Sequence, residues 1–204
     1  MWIDLIVIFP IKTNAEDLGH ATRYASELSL SLGVNVLVYE YPGYGATKGK
    51  PSEKRCYQAI TAAYNFLRAK GINEKDMILL GRSVGSGPTL WLASKLEGTR
   101  ASLGGIVLVG SFASIVRVLF WSKKTLRIDI FPNIDRIQMI QAPVLIVHGG
   151  LDRTVPPAHG GALLKKVQNP LHPLLLLNAE HNDLEKYDWE VLMSRIRQMV
   201  EEIK

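Results

Sequence analysis

Apolar and polar residues alternate along the chain in blocks that predict strands separated by helices. Apolar runs of strand length occupy residues 2–9, 34–39, 77–80, 104–110, 143–148 and 173–177. Between these runs apolar residues recur with helical spacing, which predicts helices over residues 15–32, 52–70, 86–96, 157–167 and 184–203. Gly33 and Gly71 are the expected stops of the first two helices, and Ser52 is the expected N-cap of the second.

Most of the predicted strands are continuous apolar runs, which indicates burial on both faces of a sheet. Strands of this kind that alternate with helices predict an α/β fold, with a mostly parallel central sheet and helices on both faces. In such sheets, ligands bind at the carboxyl ends of the strands. Residues 111–141 interrupt the alternation, and we expect a lid-like insertion there, within a single domain of residues 1–204.

Residues 77–88, MILLGRSVGSGP, contain a G-x-S-x-G motif in the order strand, sharp turn, helix. A serine on such a turn has a strained backbone, and neighbouring backbone passes close to the positions two before and two after it. Gly81 and Gly85 fit those positions because they have no Cβ. The turn exposes the Ser83 hydroxyl and places the Val84 N–H where an oxyanion would form. The pattern lacks the G-K-[ST] of a phosphate-binding loop.

A nucleophilic serine needs a base, and the base needs an acid to orient it. Asp152 follows the predicted strand 143–148, and His181 follows the predicted strand 173–177. The order serine, acid, histidine is the one that accompanies a G-x-S-x-G turn on sheets of this kind, and all three residues leave carboxyl ends of strands. Each residue also has a non-catalytic interpretation that stays open: Asp152 would cap the following helix, and His181 would be a histidine of a surface loop. Alternative acids and bases are less well placed: Glu180, Asp183, His20, His148, His159 and His172.

Composition and charge limit the kinds of molecule that the chain is expected to bind. The chain has 204 residues, 47% of them hydrophobic, and a formal charge of +5 without a basic stripe, so no nucleic-acid partner is expected. The single cysteine, Cys56, excludes an internal disulfide. No stretch has the length of a membrane span or the features of a signal peptide, so a cytoplasmic location is expected, with peripheral membrane association left open. The histidines are too dispersed for a zinc cluster, and no metal or cofactor is expected.

The chain resembles the alpha/beta-hydrolase-domain 17 family of the alpha/beta hydrolase superfamily, whose members remove palmitate from protein cysteines. The matching stretches are residues 14–19, 39–45, 49–54, 80–88, 131–137, 143–152 and 181–183. The resemblance implies the alpha/beta hydrolase fold and hydrolysis of acyl esters or thioesters, with Ser83, Asp152 and His181 as catalytic residues. It also implies an oxyanion hole formed by the backbone N–H groups of Val84 and Asn14. Ser111 takes the place where some relatives carry the acid, which leaves Asp152 as the best candidate.

The sequence departs from the family pattern at three points. Lys12 and Thr13 replace the His-Gly that precedes Asn14 in the family, and the β-branched Thr13 would move the second oxyanion donor. The strand pair that usually precedes this point is missing, which would leave a sheet edge unprotected. A truncated or wrongly spliced gene model would account for this. The cysteine-rich, lipidated N-terminus of animal members is also absent, so no membrane anchor is implied.

The expected substrate is an acylated protein or a small acyl ester or thioester. Ile115, Val118, Leu119 and Phe120 would contact its acyl chain, or would instead form core between a helix and the sheet. Two other functions stay open: a catalytically impaired binding or scaffold protein on the same fold, and a serine peptidase. The sequence does not define the physiological substrate, the acyl-chain length or the oligomeric state.

Overall fold

The structure is a computed structural model that describes residues 3–10, 18–43, 47–97, 99, 102–120 and 128–202. Side chains are described for these residues except 3–10, 18–21 and 185–188. The strands are β1 (Ile3–Pro10), β2 (Val34–Tyr39), β3 (Met77–Arg82), β4 (Gly105–Val109), β5 (Val144–Gly149) and β6 (Leu174–Leu176). The helices are α1 (Leu18–Leu32), α2 (Glu53–Ala69), α3 (Ser86–Glu97), α4 (Ile115–Phe120), α5 (Asn133–Ile137), α6 (Ala158–Leu164) and α7 (Leu184–Glu202).

All of the described strands pair in parallel, in the order β2-β1-β3-β4-β5-β6. The predicted mostly parallel sheet is therefore confirmed. Side chains along a strand point alternately to opposite faces, and β3 shows this directly. Met77 and Leu79 belong to a core cluster with residues of α2, α3, α5 and α6. Ile78 and Leu80 belong to a second cluster with residues of α1 and α7. The prediction of helices on both faces is confirmed.

Local signals in the sequence set the ends of the helices. The side chain of Ser52 accepts a hydrogen bond from the Arg55 N–H at 3.3 Å, as expected of an N-cap. Gly33 and Gly71 have φ angles of 65° and 82°, the left-handed conformation that commonly ends a helix. These three predictions are confirmed.

α6 and β6 are each shorter in the structure than the sequence predicts. The helix predicted over residues 157–167 is α6, Ala158–Leu164, which contains Gly160 and Gly161. The residues after Leu164 form a tighter turn, in which the Lys166 N–H donates to the Leu163 carbonyl oxygen and the Val167 N–H donates to those of Leu163 and Leu164. The strand predicted over residues 173–177 is β6, Leu174–Leu176. Its pairing with β5 is limited to three positions, beginning at Val147 opposite Leu174.

The described parts of residues 111–141 are anchored by aromatic packing. Phe112 and Phe131 are buried and belong to one cluster with Tyr41, Cys56 and Val155. Phe131 has a φ angle of 51°, and its backbone N–H donates to Glu53 Oε1 at 3.0 Å. Its ring lies so close to α3 that a Cβ built on Gly87 would be 2.3 Å from ring carbon Cδ1. The lid-like insertion itself stays a prediction.

None of the helices in the described part of the chain is both long and apolar enough to span a membrane.

Replacing Gly87 with alanine tests the packing of Phe131 on α3. Because the new methyl would also lie 2.9 Å from Phe131 Cβ, rotation of the ring alone does not relieve the contact. We expect Gly87→Ala to lower the free energy of unfolding by about 1–3 kcal/mol, measured by urea denaturation. Gly161→Ala on α6 is the matched control, since nothing lies within 4 Å of its Cβ position. Equal stability of the two variants would contradict the packing described.

Candidate active site

Ser83 lies on a strained turn between β3 and α3. Its φ angle is 51°, in the left-handed region that non-glycine residues rarely occupy. The turn, Ser83–Gly85, is a single 3-10 turn that leads directly into α3. A Cβ on Gly81 would be 2.9 Å from Ser86 Cα and 3.1 Å from the Gly85 carbonyl oxygen. The strained serine and the close approach of backbone at Gly81 confirm what the motif predicts.

His181 joins Ser83 to Asp152 through two hydrogen bonds. Its Nε2 is 2.8 Å from Ser83 Oγ, and its Nδ1 is 2.6 Å from Asp152 Oδ2. All three side chains are buried, with exposures of 7% for Ser83, 3% for Asp152 and 6% for His181. Since a carboxylate oxygen only accepts, Nδ1 carries the proton, and the neutral ring offers Nε2 as an acceptor for the serine hydroxyl. The residues predicted from three strand ends therefore meet in one place.

Asp152 is held as an anion by donors on both of its carboxylate oxygens. Oδ1 accepts from the backbone N–H groups of Thr154 at 2.9 Å and Val155 at 2.7 Å. Oδ2 faces His181 and, at 3.5 Å, His148 Nε2. Burial by itself raises the pKa of Asp152, but the hydrogen bonds from His148, His181 and Val155 outweigh it and hold that pKa well below its usual range. Asp152 can therefore keep His181 oriented without taking its proton.

Buried polar contacts fix the backbone around the serine and the histidine. Arg82 donates from Nη2 to the His181 carbonyl oxygen at 3.2 Å, which ties the histidine loop to the end of β3. Ser86 Oγ donates to the Ser83 carbonyl oxygen at 2.6 Å. Asn133 Nδ2 in turn donates to Ser86 Oγ and to the Phe112 carbonyl oxygen, each at 3.0 Å. The turn that bears Ser83 is thus connected to α5.

Two further buried histidines, His148 and His159, lie near Asp152. The sequence analysis did not assign them to the site. His148, at the end of β5, has Nε2 at 2.8 Å from the Val155 carbonyl oxygen. His159, on α6, accepts a hydrogen bond from the Ala113 N–H at Nδ1. Burial, then the nearby His148 and Arg117, lower the pKa of His159. The signal available in the sequence was the four-residue spacing of His148 and Asp152 across the end of a strand.

One of the two predicted oxyanion donors can be described. Val84 is the second residue of the turn Ser83–Gly85, and the first N–H groups of a helical turn have no acceptor within the helix. Its side chain is 38% exposed, so this part of the turn reaches the surface. Asn14, with Lys12 and Thr13 before it, lies outside the described residues. The oxyanion hole stays a prediction.

The alternative acids have other places in the structure. Asp183 Oδ1 accepts from the Glu180 N–H at 2.6 Å, and Glu180 is exposed. Ser111 is fully buried at the end of β4. Among the described residues, no group of three His, Cys, Asp or Glu side chains is placed to hold a metal ion.

The sheet order, the strained serine turn and the three converging side chains define a class of protein, and solved structures of that class superpose on this chain. Est1E from Butyrivibrio proteoclasticus, in complex with ferulic acid, matches with a TM-score of 0.74 over 97% of this chain and 88% of its own, at 15% identity. A monoacylglycerol lipase from Paleococcus ferrophilus matches with a TM-score of 0.70 over 98% and 95%, at 14% identity. The chain has the alpha/beta hydrolase fold.

Within that class, the chain is similar in sequence to alpha/beta hydrolase domain-containing protein 17B. It is 39% identical to the Homo sapiens protein over 189 residues, which are 92% of this chain. The resemblance inferred from the sequence is therefore confirmed. The matched region spans 63% of the length of the human protein. No protein-family model matches the chain.

Changing Asp152 to asparagine tests the ionised state of the buried carboxyl. The pKa of Asp152 is lower in the folded state than the usual value of about 3.9. Between these two pKa values the unfolded chain binds more protons than the folded chain, so the free energy of unfolding rises with pH. The contribution is fully present above about pH 5 and is lost as the pH falls through and below the usual carboxyl range. Urea denaturation should show the largest loss of stability in Asp152→Asn near pH 7 and a shrinking difference on acidification. A difference that stays constant from about pH 7 to pH 3 would contradict this assignment.

Proposed function

We propose that the protein is a serine hydrolase that cleaves acyl esters or thioesters through Ser83, His181 and Asp152. The observation that carries the proposal is the continuous hydrogen-bonded relay from Ser83 Oγ through His181 to Asp152, on a serine held at a φ angle of 51°. A serine hydroxyl is a weak nucleophile at neutral pH unless a positioned base removes its proton. The relay supplies such a base and an anion to orient it.

Acylation begins when Ser83 Oγ attacks the carbonyl carbon and its proton passes to His181 Nε2. Asp152 stabilises the imidazolium that forms and retains its own charge. Collapse of the tetrahedral intermediate breaks the bond to the leaving oxygen or sulfur, and His181 returns the proton to that atom. Water then attacks the acyl-enzyme with His181 again as the base, which releases the acid and restores Ser83. The N–H groups of Val84 and Asn14 are proposed to bind the oxyanion. Each such donor stabilises the transition state by about 3–4 kcal/mol.

The proposed substrate is an acylated protein, with palmitoyl thioesters as the expected class. The similarity to alpha/beta hydrolase domain-containing protein 17B supports this choice, as do exposed apolar side chains on and after α4. Leu119, Phe120 and Ile128 are 64%, 74% and 78% exposed, while Ile115 and Val118 are partly buried against the aromatic cluster. Gly110 lies against His181, with a Cβ position 3.3 Å from ring atom Cε1, and α4 begins five residues later. We propose that Leu119 and Phe120 contact the acyl chain.

Labelling with a fluorophosphonate serine probe tests the proposed function. We expect stoichiometric labelling of the folded chain, no labelling of Ser83→Ala, and loss of ester turnover by about 10⁶-fold in that variant. Asp152→Asn should retain the serine but lose about 10⁴-fold in kcat, because the histidine tautomer is no longer fixed. Ser94→Ala, on the same helix but outside the site, is the matched control and should label normally. A folded chain that does not label would instead support a binding or scaffold protein.

Parallel assays separate the proposed substrates from peptides. The chain should hydrolyse p-nitrophenyl acyl esters and acyl thioesters but not aminoacyl amides. Faster turnover of aminoacyl amides would contradict the proposal and indicate a serine peptidase.

A chain-length series tests the acyl contact at α4. Phe120→Ser should raise KM for a long-chain ester by about 10-fold, since an apolar contact with an aromatic side chain is worth about 1.5–3 kcal/mol, and leave KM for an acetyl ester unchanged. Leu30→Ser on α1, also 74% exposed, is the control and should change neither value. Equal effects of Phe120→Ser on acetyl and long-chain esters would place the acyl chain elsewhere.

A further inference from the structure

Asp152 is contacted by two imidazoles rather than one. Oδ2 lies 2.6 Å from His181 Nδ1 and 3.5 Å from His148 Nε2. Both histidines are buried, and His148 is 4% exposed. The relay of Ser83, His181 and Asp152 accounts for the first imidazole but gives the second no part in the reaction.

Hydrogen-bonding rules fix which nitrogen of His148 carries the proton. Nε2 faces two oxygens that only accept, the Val155 carbonyl oxygen at 2.8 Å and Asp152 Oδ2 at 3.5 Å. Nε2 is therefore the protonated nitrogen, and its N–H donates to the Val155 carbonyl oxygen while it faces Asp152 Oδ2 at the longer distance. His148 Nδ1 is buried without a hydrogen-bond partner among the described residues. The donor at Nε2 is the polar contribution that this ring makes to the site.

His148, Val155 and Asp152 contact one another in a closed circuit around the carboxylate. Val155 donates its N–H to Asp152 Oδ1 at 2.7 Å, while its carbonyl oxygen accepts from His148. His148 thus holds Val155 from one side and faces Oδ2 from the other. Oδ1 is therefore bound by the loop after β5, and Oδ2 faces His148 as well as His181.

We propose that His148 is a positioning residue for the reaction, and that its Nε2–H holds the Asp152 carboxylate at the angle that orients His181 toward Ser83. The inference rests on the proposed function and extends it to a fourth side chain. Loss of the donor leaves Asp152 ionised, paired with His181 and bound at Oδ1 by the Thr154 and Val155 N–H groups, but it removes the second imidazole that faces Oδ2 and so loosens the angle of the carboxylate. A small misplacement of a catalytic group lowers the rate of the chemical step by about 100-fold and affects substrate binding little.

Gly160 on α6 offers a way to move His148 without removing its donor. A Cβ on Gly160 would lie 2.7 Å from His148 Nδ1 and 3.3 Å from Cγ, so a methyl there pushes on the ring. The adjacent Gly161 has nothing within 4 Å of its Cβ position. Gly160→Ala and Gly161→Ala therefore form a matched pair on one helix, and the first of them acts on Asp152 through His148.

Steady-state kinetics with a p-nitrophenyl ester test the inference. We expect His148→Leu to lower kcat by about 10- to 100-fold with KM within about twofold, and His148→Gln, which keeps an N–H near the position of Nε2, to recover most of the loss. Gly160→Ala should lower kcat in the wild-type background, but not further in the His148→Leu background. Gly161→Ala should leave kcat unchanged. Wild-type kcat in His148→Leu, or equal losses for His148→Leu and His148→Gln, would overturn the inference.

A proton NMR measurement separates failure of this inference from failure of the proposed function. The short bond between His181 Nδ1 and Asp152 Oδ2 should give a downfield proton resonance in the folded wild type, whether or not the protein turns over an ester. We expect the resonance to broaden or shift in His148→Leu and Gly160→Ala, and to be retained in Gly161→Ala. An inactive wild type with this pattern would overturn the hydrolase proposal alone. If the wild type is active and the resonance is the same in His148→Leu and Gly160→Ala as in the wild type, the role of His148 alone would be overturned.

Discussion

The site depends on one constraint, which is the left-handed backbone of Ser83 at the end of a fully buried strand. β3 lies between β1 and β4 in the sheet, and all of its residues are buried. A non-glycine residue at a positive φ costs free energy, and it persists where packing on all sides leaves no alternative. Here α3 begins directly after the turn, Ser86 Oγ donates to the Ser83 carbonyl oxygen, and Asn133 Nδ2 donates in turn to Ser86 Oγ. The strain is thus maintained by contacts that lie in the core.

A buried anion at the rim of the same sheet is the second constraint. Desolvation of the Asp152 carboxylate is unfavourable unless donors replace the lost water. The backbone N–H groups of Thr154 and Val155 supply two of them, and imidazole N–H groups face the other oxygen. Three of these four groups lie within four residues of Asp152, so the end of β5 and the loop after it supply most of the compensation. His181 completes the set from the loop after β6.

Much of the fold and the three principal residues of the site follow from local patterns. Strand ends in a parallel sheet share one edge, so a serine, an aspartate and a histidine placed just after apolar runs are expected to meet there. The bounds of α6 and β6 were overestimated, because α6 contains two glycines and β6 pairs with β5 at three positions only. His148, Arg82 and Asn133 were not predicted as parts of the site. Their contacts depend on tertiary geometry, such as the 99 positions that separate Arg82 from the carbonyl it binds.

The order of these residues along the chain has a consequence for synthesis. Ser83 and His181 are separated by 98 positions, and α7, which follows His181, supplies Leu192, Ile196 and other members of the core on one face of the sheet. At translation rates of about 5–20 residues per second, roughly 5–20 s pass between the emergence of the serine and that of its base. During that interval the nascent chain has an isolated hydroxyl and no relay. Any reactivity of the serine therefore requires that β6, His181 and α7 have been synthesised and have packed on the sheet.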